Sequence, residues 1–242
     1  MTCISTLNTM VDNPDWRRED RTMTSSGYWL QQESVAGKER RFDHWIGGGG
    51  GIDGPRCPNC QKPLLQLAKL DGSDRRVGLP DRLQQGVRLL YCWTCVLSQT
   101  QFTYQCTSTP GEERVLVAKR GEVVDGFPYP DYPVAFPGVP VRLEAVTPEE
   151  ARAIHALNEG EVPARGSLAH SLSEPRHQVR GVPYEMQPFD APVCSCGERM
   201  EFLASLGDAT FTGRGFTDNP YVQVAYHLCG TCAIVGVRHY VD

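Results

Sequence analysis

Eight of the ten cysteines fall into four close pairs, and thiols at such spacings are suited to holding a soft metal ion. Cys57-Pro-Asn-Cys60 and Cys92-Trp-Thr-Cys95 are separated by 31 residues, and Cys194-Ser-Cys196 and Cys229-Gly-Thr-Cys232 by 32. Zinc takes four thiolates tetrahedrally, and a gap of one or two residues lets one tight turn present two sulfurs to one ion. The spacing predicts two structural zinc ions, one on Cys57, Cys60, Cys92 and Cys95, the other on Cys194, Cys196, Cys229 and Cys232. A zinc closed by four thiolates has no position for water and cannot activate a nucleophile, so the metal predicts scaffold rather than catalysis. Cys3 and Cys106 are left over, as a mobile thiol and a strand residue.

Other chemistry is sparse. There is no Gly-x-Ser-x-Gly elbow, no His-Glu-x-x-His helix and no His-x-Glu with Pro-Cys-x-x-Cys. The five glycines Gly47 to Gly51 precede no Gly-Lys-Ser/Thr and read as a hinge or a tight backbone approach. His44, beside Trp45, reads as packing or surface, His155 as solvent-facing, and His170 and His177 as loop residues. An enzyme working in a cleft between two halves would draw on His227, His239, Asp208 or Asp218. No catalytic residue is assigned.

Composition sets the frame for these sites. The 242 residues are 40% hydrophobic and 22% charged, with 24 Gly and 18 Pro, which predicts a real core with many turns. The start, Met1 to Leu7, lacks a basic residue followed by an apolar run, so reduced thiols and a cytoplasmic location are expected rather than disulfides. No stretch approaches the ~20 apolar residues of a membrane span. The formal net charge is −5, and two zinc–thiolate centres at −2 each would take it to −9, which argues against a broad nucleic-acid surface.

The elements that must position the cysteines are mostly strands. Residues 1–26 are polar and unpatterned and read as a mobile arm with Trp16 as its one sizeable apolar anchor. Residues 27–160 are expected to form a first zinc-binding β unit. It takes in aromatic segments at Gly27 to Leu30 and Phe42 to Ile46, and strands at Val87 to Tyr91, Gln99 to Cys106, Val115 to Ala118 and Val141 to Val146. Pro63 to Leu70 is too short to assign by periodicity, and residues 71–86 read as an excursion. Thr147 as N-cap, Pro148, Glu150 in a capping box and Gly160 past the end bracket one helix, with Ala151, Ile154 and Leu157 on its buried face. Residues 161–179 read as a linker, and 180–242 as a second zinc-binding β unit.

The two cysteine regions also match between their metal turns. With Cys60 on Cys196, Leu64 falls on Met200, Leu67 on Leu203, Ala68 on Ala204 and Leu70 on Leu206. One further gap puts Cys92 on Cys229, Thr94 on Thr231 and Cys95 on Cys232. The chain reads as two copies of one unit, with Val222 to Tyr226 mirroring Val87 to Tyr91. The fold expected is mainly β with a minor helical part (α+β), built from two duplicated zinc-ribbon-like β units.

The run Arg180-Gly-Val-Pro-Tyr-Glu-Met-Gln187, then Cys194-Ser-Cys-Gly-Glu-Arg-Met-Glu-Phe-Leu203 and Tyr226-His-Leu-Cys-Gly-Thr-Cys232, resembles the YwqG-like family of domains of unknown function. It is distantly similar to the programmed-cell-death-two-like zinc proteins. The resemblance covers residues 45–106 and 180–242. It implies a mostly β fold of two similar halves and, from the eukaryotic relatives, a role escorting a newly made ribosomal protein. The resulting expectation is a non-catalytic, zinc-stabilised module that binds a protein client as a chaperone or adaptor. A redox-regulated zinc switch is the alternative, because Cys-x-Cys followed by Cys-x-x-Cys resembles the centre of the redox-regulated heat-shock chaperone. An enzyme with its site between the halves is the second.

Overall fold

A computed structural model describes residues 27–33, 40–49, 55–57, 61–92, 102–107, 112–118, 135–188, 191–213, 215–216 and 222–241. The expected N-terminal arm, Trp16, Cys3 and Asp218 lie outside the described residues. The described strands, numbered in chain order, are β1 (Tyr28–Gln32), β2 (His44–Ile46), β3 (Leu65–Leu70), β4 (Val87–Tyr91), β5 (Phe102–Gln105), β6 (Arg114–Ala118), β7 (Val139–Ala145), β8 (Gln178–Val179), β9 (Glu201–Leu206), β10 (Val222–Cys229) and β11 (Ile234–Val241). They form one antiparallel sheet in the order β4-β3-β2-β7-β1-β8-β9-β10-β11-β5-β6. The protein is mainly β, as composition and patterning predict.

Leu64 to Leu70, ambiguous by period, forms strand β3 because it is buried on both faces: Leu65, Leu67, Ala68 and Leu70 are all inaccessible. In the following excursion the 3-10 turns Arg75–Val77 and Asp81–Leu83 tuck Val77 and Leu83 into the core. Of the alternating strand at 141–146, Val141 and Leu143 are buried while Ala145 is exposed.

The helix forms as its punctuation predicts. Helix α1 (Pro148–Asn158) has Thr147 accepting from the Glu150 N–H and Glu150 reaching back to the Thr147 N–H. Ile154 packs with Trp29 and Leu172 in a small core of its own, and His155 is exposed. The stretch expected as a linker carries α2 (Leu168–Leu172) and β8. Leu172 and His177 are buried there, so two anchors hold an otherwise polar segment.

Two pairs of strands share one register. Leu65 faces Tyr91, Gln66 faces Leu90, Ala68 faces Leu89, Lys69 faces Arg88 and Leu70 faces Val87, with an irregularity at Leu67. In β9–β10, Glu201 faces Leu228, Phe202 faces His227, Ala204 faces Tyr226, Ser205 faces Ala225 and Leu206 faces Val224, with the irregularity at Leu203. Val87 therefore corresponds to Val224, two residues beyond the Val222 expected. This agrees with the alignment of Cys92 on Cys229, since Val87 and Val224 each lie five residues before those cysteines. Next to β3, Trp45 faces Lys69 and Ile46 faces Ala68. Next to β9, Gln178 faces Ser205 and Val179 faces Ala204 in the same way.

After these short strands the backbone turns left-handed, at Gly47 and at Arg180, and their amides donate to Leu67 and Leu203 respectively. A side chain at Gly47 would lie 2.4 Å from the Pro137 carbonyl, so the glycine run serves a tight backbone approach at its described end.

The sheet curls until its β4 edge meets β5. The Tyr104 hydroxyl accepts from Leu90 N–H at 3.2 Å and donates to the Arg88 carbonyl at 2.6 Å. Arg88 forms a two-pronged pair with Glu113, and Tyr91 Oη meets His239 Nδ1 at 2.7 Å. Arg180 adds a strut, donating to the carbonyls of Val77, Gly78 and Phe202.

Removing the hydroxyl by Tyr104→Phe strands a backbone donor and acceptor. It should cost about 1–3 kcal/mol in a urea titration and speed hydrogen exchange at Leu90. Burial, opposed by a hydrogen bond to the Ala209 carbonyl, lowers the His177 pKa to about 4. An unfolded histidine near 6.5 binds more protons across that interval. Its stabilising contribution is therefore full above pH 6.5 and is lost as pH falls towards 4. His177→Gln should flatten this part of the stability–pH profile, by about 3 kcal/mol over the whole window.

Candidate metal centre

The cysteines of the second candidate set sit on two turns held by backbone hydrogen bonds. In the turn at 192–200, Cys194 N–H donates to Glu198 O, Gly197 N–H to Cys194 O and Met200 N–H to Pro192 O. Gly197 is left-handed, which bends the chain enough to bring Cys194 and Cys196 together. Across the sheet, Cys229 ends β10 and Ala233 N–H closes the next turn onto the Cys229 carbonyl. The sheet registers place this turn opposite the first.

The result is a cluster in which the Sγ atoms of Cys194, Cys196, Cys229 and Cys232 lie within 4.8 Å of one another. Zinc–sulfur bonds of about 2.3 Å in a tetrahedron give edges of about 3.8 Å. The Cys196–Cys229 separation is 3.7 Å, so the donor set fits a tetrahedral ion. Cys194 and Cys229 are buried, Cys232 is half-buried and Cys196 is exposed. Met200 and Ile234 pack around them as a satellite core.

The thiols already differ in acidity. Burial opposes ionisation of Cys194, but the Cys196 N–H and the neighbouring thiols outweigh it and lower its pKa to about 7. Contact with Cys196, then burial, pushes Cys232 up to about 12, and burial raises Cys229. One thiolate is thus available near neutrality, and a cation must displace the remaining protons.

Of the first expected ligand set, Cys57 and Cys92 are described and buried, whereas Cys60 and Cys95 lie outside the described residues. The Cys57 turn repeats the bonding of the other: Cys57 N–H to Lys62 O, Gln61 N–H to Cys57 O, Leu64 N–H to Pro55 O, with Gln61 left-handed. The isolated bridges Arg56–Pro63 and Val193–Arg199 also correspond.

Cys106 is buried beyond β5, and burial followed by the nearby Glu113 pushes its pKa up to about 12, which makes it an inert thiol. His227 lies in β10 against the Phe202 ring, His239 in β11 against Tyr91, and Asp208 after β9. Burial lowers both histidines to about 4.

A residue that spacing did not flag touches the metal turn. Arg82, in the 3-10 turn before β4, donates Nη2 to the Gly230 carbonyl between Cys229 and Cys232. It brings a positive charge to a centre that would carry −2 with zinc bound. Arg82→Ala should speed chelator-driven metal loss about tenfold, read by a chromogenic zinc indicator, with Arg82→Lys intermediate.

No family model, no curated protein and no solved structure matches this chain.

Proposed function

We propose that the chain is a non-catalytic, zinc-stabilised protein-binding module, a chaperone or adaptor dedicated to one protein client. The observation that carries this reading is the Cys194–Cys196–Cys229–Cys232 cluster, whose four sulfurs saturate a tetrahedral ion. Soft thiolates favour zinc over the hard divalent cations, and the closed shell assigns the metal to structure. A second zinc on Cys57, Cys60, Cys92 and Cys95 belongs to the same reading, supported by the matching turn around Cys57 and the burial of Cys57 and Cys92.

The shared registers of β3–β4 and β9–β10 support two duplicated zinc-ribbon-like units, which is what the YwqG-like and programmed-cell-death-two-like resemblance implies. A reducing, cytoplasmic setting completes the proposal, since the thiolates must stay reduced. Exposure of Cys196 beside buried partners favours a second reading, a redox-regulated switch in which an oxidant enters at that sulfur.

Native mass spectrometry of the chain purified without chelator tests the metal assignment. Two zinc ions are expected, falling to one in Cys60→Ser and in Cys196→Ser. An absence of zinc with oxidised cysteines would overturn it. In-cell crosslinking tests the client: one protein joined at a fixed ratio supports the module, and a chain crosslinked to nothing counts against it. Zinc release by micromolar peroxide, reversed by thiol, would move the assignment to the switch.

A further inference from the structure

The cleft beside β2 concentrates positive charge in an otherwise acidic chain. It has a volume of about 600 Å³, within the usual range for small-molecule sites, and is lined by Glu33, Arg41, Phe42, Arg75, Arg76 and Arg142, with His44 and Asp74 behind. Four guanidiniums there face two carboxylates, although the whole chain carries −5.

The base of this cleft is held rigidly. His44 Nδ1 accepts from Asp71 N–H at 3.0 Å, so Nε2 carries the proton and donates to Asp74 Oδ2 at 3.0 Å. Asp74 in turn takes Arg76 Nε and Nη2 at 2.9 and 2.7 Å, and Arg76 Nη1 donates to the Leu143 carbonyl. At the rim, Arg142 shares its charge with Glu144 at 3.1 Å on the surface. Arg41 and Arg75 are exposed, and among the described residues neither has a carboxylate partner; Arg41 rests on the Phe42 ring. Glu33 Oε2 is shielded from solvent and, among the described residues, has no hydrogen-bond partner.

This charge is not needed to build the fold. His177 occupies the position beside β9 that His44 occupies beside β3. It is buried against the rings of Phe211 and Phe216, with centroids 5.5 and 6.2 Å away. Aromatic rings and one hydrogen bond to the Ala209 carbonyl serve at that place in the architecture, and a buried ion-pair network is often no more stabilising than such packing.

We infer that the cleft binds a small organic phosphate bearing a hydroxyl group. The phosphate sits between Arg41, Arg75 and Arg142, with Arg76 fixed beneath, and Glu33 accepts from the hydroxyl. This inference is independent of the metal centre.

Calorimetric titration of the full zinc-loaded chain with ribose 5-phosphate, inorganic phosphate and ribose tests it. Ribose 5-phosphate should bind at least tenfold more tightly than inorganic phosphate, and ribose should not bind. The double variant Arg41→Gln/Arg75→Gln should weaken ribose 5-phosphate at least tenfold with unchanged melting temperature and zinc content. Glu33→Gln should weaken ribose 5-phosphate but leave inorganic phosphate unaffected. Failure of both phosphates to bind, or binding insensitive to the double variant, overturns the site. Equal affinity for the two phosphates overturns the role given to Glu33.

Discussion

A single phenol hydroxyl decides how the sheet ends. Strand β4 would otherwise expose a row of backbone donors and acceptors, as any edge strand does. Tyr104, reaching from β5, takes one donor and satisfies one acceptor of β4, and the Arg88–Glu113 pair and the Tyr91–His239 contact lie beside it. The hydroxyl is wholly buried, and burial holds its pKa well above the ordinary value, so it remains a donor at neutral pH. Because β4 is also the strand that leads into Cys92, this closure fixes where that buried thiol lies.

The cysteine turns at 194–196 and 229–232 and the curled sheet depend on each other. Each pair spans only a short turn, and four sulfurs converge only if β9 and β10 keep their register past the bulge at Leu203. A structural zinc contributes roughly 10–16 kcal/mol in small peptides, comparable with the ~5–15 kcal/mol that a domain retains in total. Arg82 links the loop before β4 to the turn of Cys229 and Cys232, while Arg180 fastens the 3-10 turn after Asp74 to β9. Both arginines donate to backbone carbonyls across the fold, and Arg180 also meets the Glu201 carboxylate, whereas Arg41 and Arg75 line the cleft.

Much of this was legible from particular residues. The capping box at Thr147 and Glu150 announced α1 because its signal is local, contained within one helical turn. The cysteine spacings announced the Cys194–Cys232 cluster because metal ligation constrains residue type as well as distance. His177 was not legible: in a run of polar residues nothing local shows that its imidazole will be enclosed by Phe211, Phe216 and the Ala209 carbonyl. His44 was legible only as packing, since Asp71 and Asp74 lie some thirty residues further along the chain.

Spacing and residue type, by themselves, determined a mainly β protein, its capped helix and the Cys194–Cys196–Cys229–Cys232 cluster. These are short-range properties: a turn, a cap or a pleat is set by a few neighbouring side chains. Tertiary structure decided the order of the strands, the closure at Tyr104 and the gathering of Arg41, Arg75, Arg76 and Arg142 around one cleft. Those depend on which strands meet, and the meeting is governed by backbone pairing between residues remote in the chain, where side-chain identity alone carries little information.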